Sequence, residues 1–237
     1  LEKNGVIYLT GGDEGLVSVS GSLDATGLNA GETGGVVHVL GNRVGLYDYA
    51  LIDVSGDAGG GLILVGGDYQ GLGSIPTAVE NYVGQNVSIF ADAITGGHGG
   101  RTIFWADRRT EFFGNVRTRG GRLFGDGGFV EVSGKEELYF DGNVDTTAAN
   151  GKSGTLLLDP DNITVQSGSG TASASGASSF TTYQNILEAV SSTTNIDLVA
   201  TDSITLNNSL SFAQTDGQSV TFSATTGSIT QSSSDTI

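Results

Sequence analysis

A glycine, a short alternating strand and a further glycine recur along this chain, and no other feature limits the fold as tightly. The motif stands as "GLVSVSG" at 15–21, "GGVVHVLG" at 34–41, "GGLILVGG" at 60–67, "GGRTIFWAD" at 99–107, "GGFVEVSG" at 127–134 and "GTLLLDPDN" at 154–162. Aligned on Gly15, Gly35, Gly61, Gly100, Gly128 and Gly154, it advances by 20, 26, 39, 28 and 26 residues. Self-similarity at 20 to 50 residues marks a solenoid or a propeller. The longest step holds "GGDYQGLGSIPTAVENYVG" at 66–84, which reads as a loop insertion.

Several strands follow one another within a repeat. In 35–59 they are Val36–Leu40, Val44–Tyr47 and Leu51–Ser55; in 128–153 they are Phe129–Ser133, Glu137–Phe140 and Asn143–Thr146. β-Branched and aromatic residues alternate with polar ones, and glycines punctuate them. Three strands in about 26 residues suit one turn of a parallel β-helix, each strand pairing with its equivalent about 4.8 Å away. Glycines take the corners, where tight bends and close backbone approach exclude a side chain. A propeller blade needs about 40–45 residues and hairpin turns, and Asn-Gly occurs only at Asn4-Gly5 and Asn150-Gly151.

Alternation assigns faces. In "GFVEVSG", Glu131 and Ser133 are expected to face water, with Val130 and Val132 inside. The same register puts Val17/Val19, Val37/Val39, Ile63/Val65, Thr102/Phe104 and Leu156/Leu158 in the core. Leu64, Ile103 and Trp105 then point outward beside the 66–84 insertion. Either the insertion folds over them or they form a ligand surface. Within the insertion, Ala78, Val79 and Tyr82 after Pro76 suggest a short helix.

Composition narrows the function. The formal charge is −16 with 10 Lys and Arg, so no nucleic-acid partner is expected, because phosphate contacts need a basic face. The chain has no Cys, hence no disulfide framework. It has no Met either, so it reads as a mature product or a piece of something longer. Six of the ten basic residues, Arg101, Arg108, Arg109, Arg117, Arg119 and Arg122, lie within 101–122. They read as partners of Asp107, Glu111 and Asp126, or as a contact point for acidic glycans or a partner. Trp105, Arg101, Arg108, Arg109, Arg117 and Arg119 are the ligand-contact candidates; Leu64, Ile103 and Trp105 are the surface for the insertion.

After residue 162 Ser and Thr make up 31 of 75 residues and no Lys or Arg follows Lys152. "SSFTTYQNILEAVSST" gives one short helix at about 180–191, capped by Thr181 or Thr182, with Ile186, Leu187 and Val190 on one face. The organisation is therefore 1–162, Gly-rich coils, and 163–237, a Ser/Thr-rich continuation of the same β-helix. Leu1 and Ile237 fall in strand-like text, so open sheet edges and end-to-end self-association are expected there.

The succession "IDVSG", "ILVGGDYQG", "ADAITGGHGG", "WADRRTEFFG", "GGFVEVSGKEEL", "GTLLLDPDNITV" and "NILEAVSSTTNIDLVATDSITL" resembles the filamentous haemagglutinin-like exoproteins of bacterial two-partner secretion. The resemblance covers nearly the whole chain. It implies a right-handed parallel β-helix, secreted or on the surface of a diderm bacterium, exported through an outer-membrane partner transporter. It implies a non-enzymatic adhesin or adhesin shaft, with a host or neighbouring-cell receptor or glycan as partner. A structural extracellular filament would share this fold.

A carbohydrate-active β-helix, pectin lyase-like or a glycoside hydrolase, is the other class. Gly-His-Gly at 97–99 is a polygalacturonase-like element, yet no Asp-Asp pair accompanies it. Arg101, Arg108 and Arg109 near Asp107 and Glu111 are as well explained by charge pairing as by a lyase base. "GGDYQG", "GDGG" and the Asp159/Asp161 corner resemble calcium loops without the repeated calcium pattern. No catalytic residue, metal or cofactor is expected.

Overall fold

The structure, a computed structural model, describes residues 2–3, 5–170, 179–191, 193–207, 209–210, 212 and 218–231. It is mostly β, with large parallel sheets and one α-helix among the described residues. Leu1 and Ile237, where open edges are expected, lie outside them.

The strands form three parallel ladders. The first runs Val6–Thr10, Val36–Leu40, Leu62–Val65, Arg101–Phe112, Phe129–Gly134, Thr155–Leu158, Asn195–Ala200, Val220–Ala224, in sequence order and parallel throughout. The second runs Leu16–Val19, Arg43–Leu46, Ala78–Val83, the later half of Arg101–Phe112, then Glu137–Phe140. The third runs Ser22–Asp24, Leu51–Asp53, Ser88–Phe90, Asn115–Arg117, Asn143–Asp145. The strand Arg101–Phe112 belongs to two ladders at once, with a register shift between Ala106 and Arg109.

The inward residues of the first ladder are buried as alternation requires: Val37, Val39, Ile63, Val65, Thr102, Phe104, Val130, Val132, Leu156 and Leu158 are all 0% exposed. Side chains from the other two ladders meet them, including Phe112, Phe140, Ile52 and Ile89. Phe104, Phe112 and Phe140 pack in a row, the first pair tilted and the second stacked, with centroids 4.9 and 5.8 Å apart. At the corner between the first two ladders, the buried Asn81 side-chain NH2 donates to the carbonyls of Val65 and Trp105, while its Oδ1 has no hydrogen-bond partner among the described residues. Gly128 shows why the corners exclude side chains: a Cβ there would collide with the carbonyl of Gly100.

Three expectations need correction. The repeat before Val36–Leu40 is Val6–Thr10, and Leu16–Val19 pairs instead with Arg43–Leu46. "GVIYLTGG" and "GLVSVSG" carry the same alternation, so only vertical pairing sets the register. Val17 and Val19 are still buried. Ala78–Val83 is a strand between Arg43–Leu46 and Arg101–Phe112, with no helix at Pro76. Two waiting strand edges override the local helical spacing, and the irregular segment shrinks to 66–77. Thr181 and Thr182 lie in the strand Phe180–Tyr183, so neither caps the helix, which spans Gln184–Ser191.

The chain departs from simple succession once. Phe180–Tyr183 sits between Glu137–Phe140, reached through a bridge from Glu137 to Ser179, and Asn162–Gln166, out of sequence order. Ser203–Asn207 and Ser228–Gln231 then continue that ladder. The helix buries Ile186, Leu187 and Val190 near Asn143–Asp145, the last strand of the third ladder. Thr193 and Thr194 donate to the Val144 carbonyl at 3.1 and 3.2 Å, satisfying an acceptor that a further strand would otherwise take.

Candidate functional site

The residues singled out by sequence are spread over the outer faces of all three ladders. On the first ladder, one outward column reads Tyr8, His38, Leu64, Ile103, Glu131, Leu157. The segment after Val65 folds over its middle. Gly66 and Gly71 take positive φ, and a Cβ on Gly71 would fall 2.5 Å from the indole of Trp105. Leu64, Ile103 and Trp105 form a second, smaller apolar cluster with Leu62, Ile75 and Phe129. Trp105 is 6% exposed, and its indole N–H donates to Asp107 at 2.9 Å.

The expectation that Glu131 and Ser133 face water is overturned: both are 0% exposed. A short 3-10 turn, Tyr69–Gly71, reaches Glu131. Gln70 sits in the left-handed region at φ 52. Its backbone N–H donates to Glu131 Oε1 at 3.0 Å, and its side-chain amide donates to Asp159 Oδ2 at 2.6 Å. Burial pushes the Glu131 carboxyl up to about 7, against the pull of the Gln70 N–H, the Ser133 hydroxyl and Arg101, and with a further push from Asp159. Burial also raises Asp159, and Asp161 adds to it. Beside this clasp lies a cleft of about 410 Å³, lined by Trp105, Asp107, Lys135, Asp159 and Asp161 among others. Asp159 opens onto it; Glu131 does not line it.

The arginines, clustered within 101–122 in sequence, separate onto different faces. Arg101 lies over the rings of Tyr69 and Phe129, 4.8 and 4.9 Å from their centroids. Arg108 pairs with Glu80, which Arg43 also reaches at 3.1 Å, and Arg109 pairs with Glu111 at 3.2 Å. Arg117 and Arg119 both grip Asp92 on the third ladder, each with Nη2 2.9 Å from Oδ2. Of the three expected partners only Glu111 pairs with an arginine. Asp107 is taken by Trp105 and by the Thr77 hydroxyl, and Asp126 accepts from the Lys152 backbone. His98 holds a corner, its Nδ1 accepting the Asp126 N–H at 3.0 Å.

On the third ladder the outward column is Asp24, Asp53, Phe90, Arg117, Asp145. Asp24, Asp53 and Asp145 each accept the N–H two residues on, from Thr26, Ser55 and Thr147. This Asp-x-Ser/Thr turn is a local device that repeats. Asp92 stands where Ser55 stands one repeat earlier, and Arg119 one repeat later. Sequence reasoning missed Asp92, although the break in this Asp-x-Ser/Thr series at "FAD" and "RTR" marks it. Glu131 carried no local signal at all. Among the described residues, no cluster of three or more His, Asp or Glu could hold a metal ion. No family model matches the chain, and no curated protein matches it either.

Proposed function

We propose that this chain is part of the shaft of a non-enzymatic bacterial adhesin of the filamentous haemagglutinin type, its ladders forming the faces of one right-handed parallel β-helix. The observation that carries the reading is the continuous first ladder: eight parallel strands in sequence order over one aliphatic core. At about 4.8 Å per step such a stack rises by roughly 34 Å. Parallel strands joined by crossovers take the right-handed path in nearly all known sheets. A stack that grows by repetition suits a spacer that carries contact surfaces away from a cell. The resemblance in sequence extends the proposal to secretion through an outer-membrane partner transporter and to a cell-surface or secreted location in a diderm bacterium. The filament reading, with end-to-end association, shares every element of this architecture.

A carbohydrate-active enzyme is the second reading, favoured by the two carboxyls held by Gln70 beside a cleft. The closed position of Glu131, 0% exposed, weighs against it, because a general acid must reach the bond that it protonates. The test incubates purified protein with pectins and other acidic polysaccharides, with and without calcium. The shaft reading expects no new reducing ends or unsaturated products, and agglutination of erythrocytes by beads that carry many copies. Turnover that is lost in Glu131→Gln, or in His98→Ala, would replace it with the enzyme reading.

A further inference from the structure

We propose that the groove over the third ladder, floored by Arg117, Arg119 and Arg122, binds an oxyanion-bearing saccharide. The groove has a volume of about 530 Å³ and a mixed lining, within the usual range for ligand pockets.

The floor is built. Asp92, 4% exposed, receives the Arg119 backbone N–H on Oδ1 at 2.8 Å. Its Oδ2 receives Nε and Nη2 of both arginines, between 2.9 and 3.3 Å. Asp92 thereby fixes two guanidiniums by the same edge. The Nη1 end of each makes no hydrogen bond among the described residues. Arg117 is further locked by the Phe90 ring, 4.2 Å below its guanidinium carbon. The two side chains are 39% and 43% exposed, so the free ends face the groove rather than the core. Guanidiniums immobilised in this way lose little freedom on meeting a planar or tetrahedral oxyanion.

The placement of charge points the same way. Arg122 also lines the groove, and its guanidinium forms no ion pair among the described residues. Its place is fixed by backbone bonds, the N–H donating to Ile94 and the carbonyl accepting from Asn150. Three arginines stand against Asp92 and Asp53 in the lining and Asp145, the neighbour of Arg117 on the next strand; Asp53 and Asp145 are already turned toward the N–H groups of Ser55 and Thr147. The groove is therefore balanced in charge within a chain of net charge −16, and its Asp92 carboxylate is buried while the guanidiniums that it holds are not. A saccharide fits the lining because the arginines stand beside short apolar walls, Leu28 and Ile94, and beside the Thr147 hydroxyl, which donates to Asp145 and keeps an acceptor lone pair for a sugar hydroxyl. Leu28 is 62% and Ile94 46% exposed, and a sugar ring has both an apolar face and a rim of hydroxyls to meet them. The six arginines of 101–122 thus divide, and Arg101, Arg108 and Arg109 are excluded from this site by position.

Calorimetric titration of the whole chain with tetragalacturonate, a sulfated dextran oligomer and neutral maltotetraose tests the proposal. Binding of one or both acidic oligomers, weakened by added salt and absent with maltotetraose, is expected; which acidic oligomer binds tells carboxylate from sulfate. Arg122→Glu should weaken that binding about tenfold or more, the cost of a lost charged hydrogen bond. Its denaturation midpoint should be unchanged, because Arg122 is placed by its backbone. Arg119→Lys keeps the charge but not the fork, and should weaken binding by a smaller factor. Equal affinity for neutral and acidic oligomers, no binding of either acidic oligomer, or wild-type affinity in both variants overturns the site. None of these results bears on the shaft reading, which rests on the continuous first ladder.

Discussion

The outer faces of the first and third ladders begin from the same strand chemistry and end differently. On the first, an irregular segment closes over the outward column, so Leu64, Ile103 and Trp105 become a second core and Glu131 is buried with them. On the third, nothing comparable covers the column among the described residues, and Leu28, Ile94, Leu123 and Phe124 stay exposed. Backbone alternation is equal on both faces. The difference is one insertion of about a dozen residues, and it converts an outward position from a free surface into a stability determinant. A variant on the covered face is therefore expected to act on folding, and one on the open face on binding.

The largest expected effect is at Trp105. Trp105→Ala removes the ring on which Gly67 and Gly71 pack, and should destabilise by about 3–5 kcal/mol in denaturant unfolding. Iodide should quench the single tryptophan of the folded chain only weakly. Strong quenching, or a loss below about 1 kcal/mol, would mean that the segment does not close and that both faces are open.

Next in size is the pH dependence set by Glu131. Its folded value is raised to about 7 from 4.5. The folded state then holds a proton that the unfolded state releases, so this contribution to stability is full below pH 4.5 and fades as pH rises to about 7. The span corresponds to about 3 kcal/mol. Urea midpoints should fall across that window, and the fall should shrink in Glu131→Gln, with Asp159 supplying what remains in the same direction. A flat profile in the wild type would place Glu131 in water and erase the contrast between the faces. The smallest effect is expected on the open face. Leu28→Ser should change stability by no more than about 0.5 kcal/mol, as for an ordinary surface site; a loss of several times that would reveal a covered third face.

Much of the core was legible before any coordinates. Val37, Val39, Ile63, Val65, Val130, Val132, Leu156 and Leu158 followed from period-two alternation, because a strand paired on both edges has only two faces to offer. The five strands from Val36–Leu40 to Thr155–Leu158 fall in sequence order in one parallel sheet for the same reason. The ladder to which a strand belongs was less legible. Leu16–Val19 and Val6–Thr10 share one pattern, and Ala78–Val83 carries helical spacing that two strand edges overrule. The arginine partners were the least legible part of the site. Glu80 and Asp92 are brought to Arg108, Arg117 and Arg119 by stacking of successive repeats, which places side chains some 25 residues apart within a hydrogen bond.

The sequence by itself determined that the chain is a repeating β structure, that glycines take its corners, and which aliphatic residues fill its centre. These depend on periodicity and on φ, which are local. The tertiary structure decided that Glu131 is buried, that Asp92 binds two arginines, and that one outer face is closed while another is open. Those outcomes depend on which repeat lies above which, and on where one irregular segment comes to rest, and neither is encoded in the residues that surround Glu131 or Asp92 in the chain.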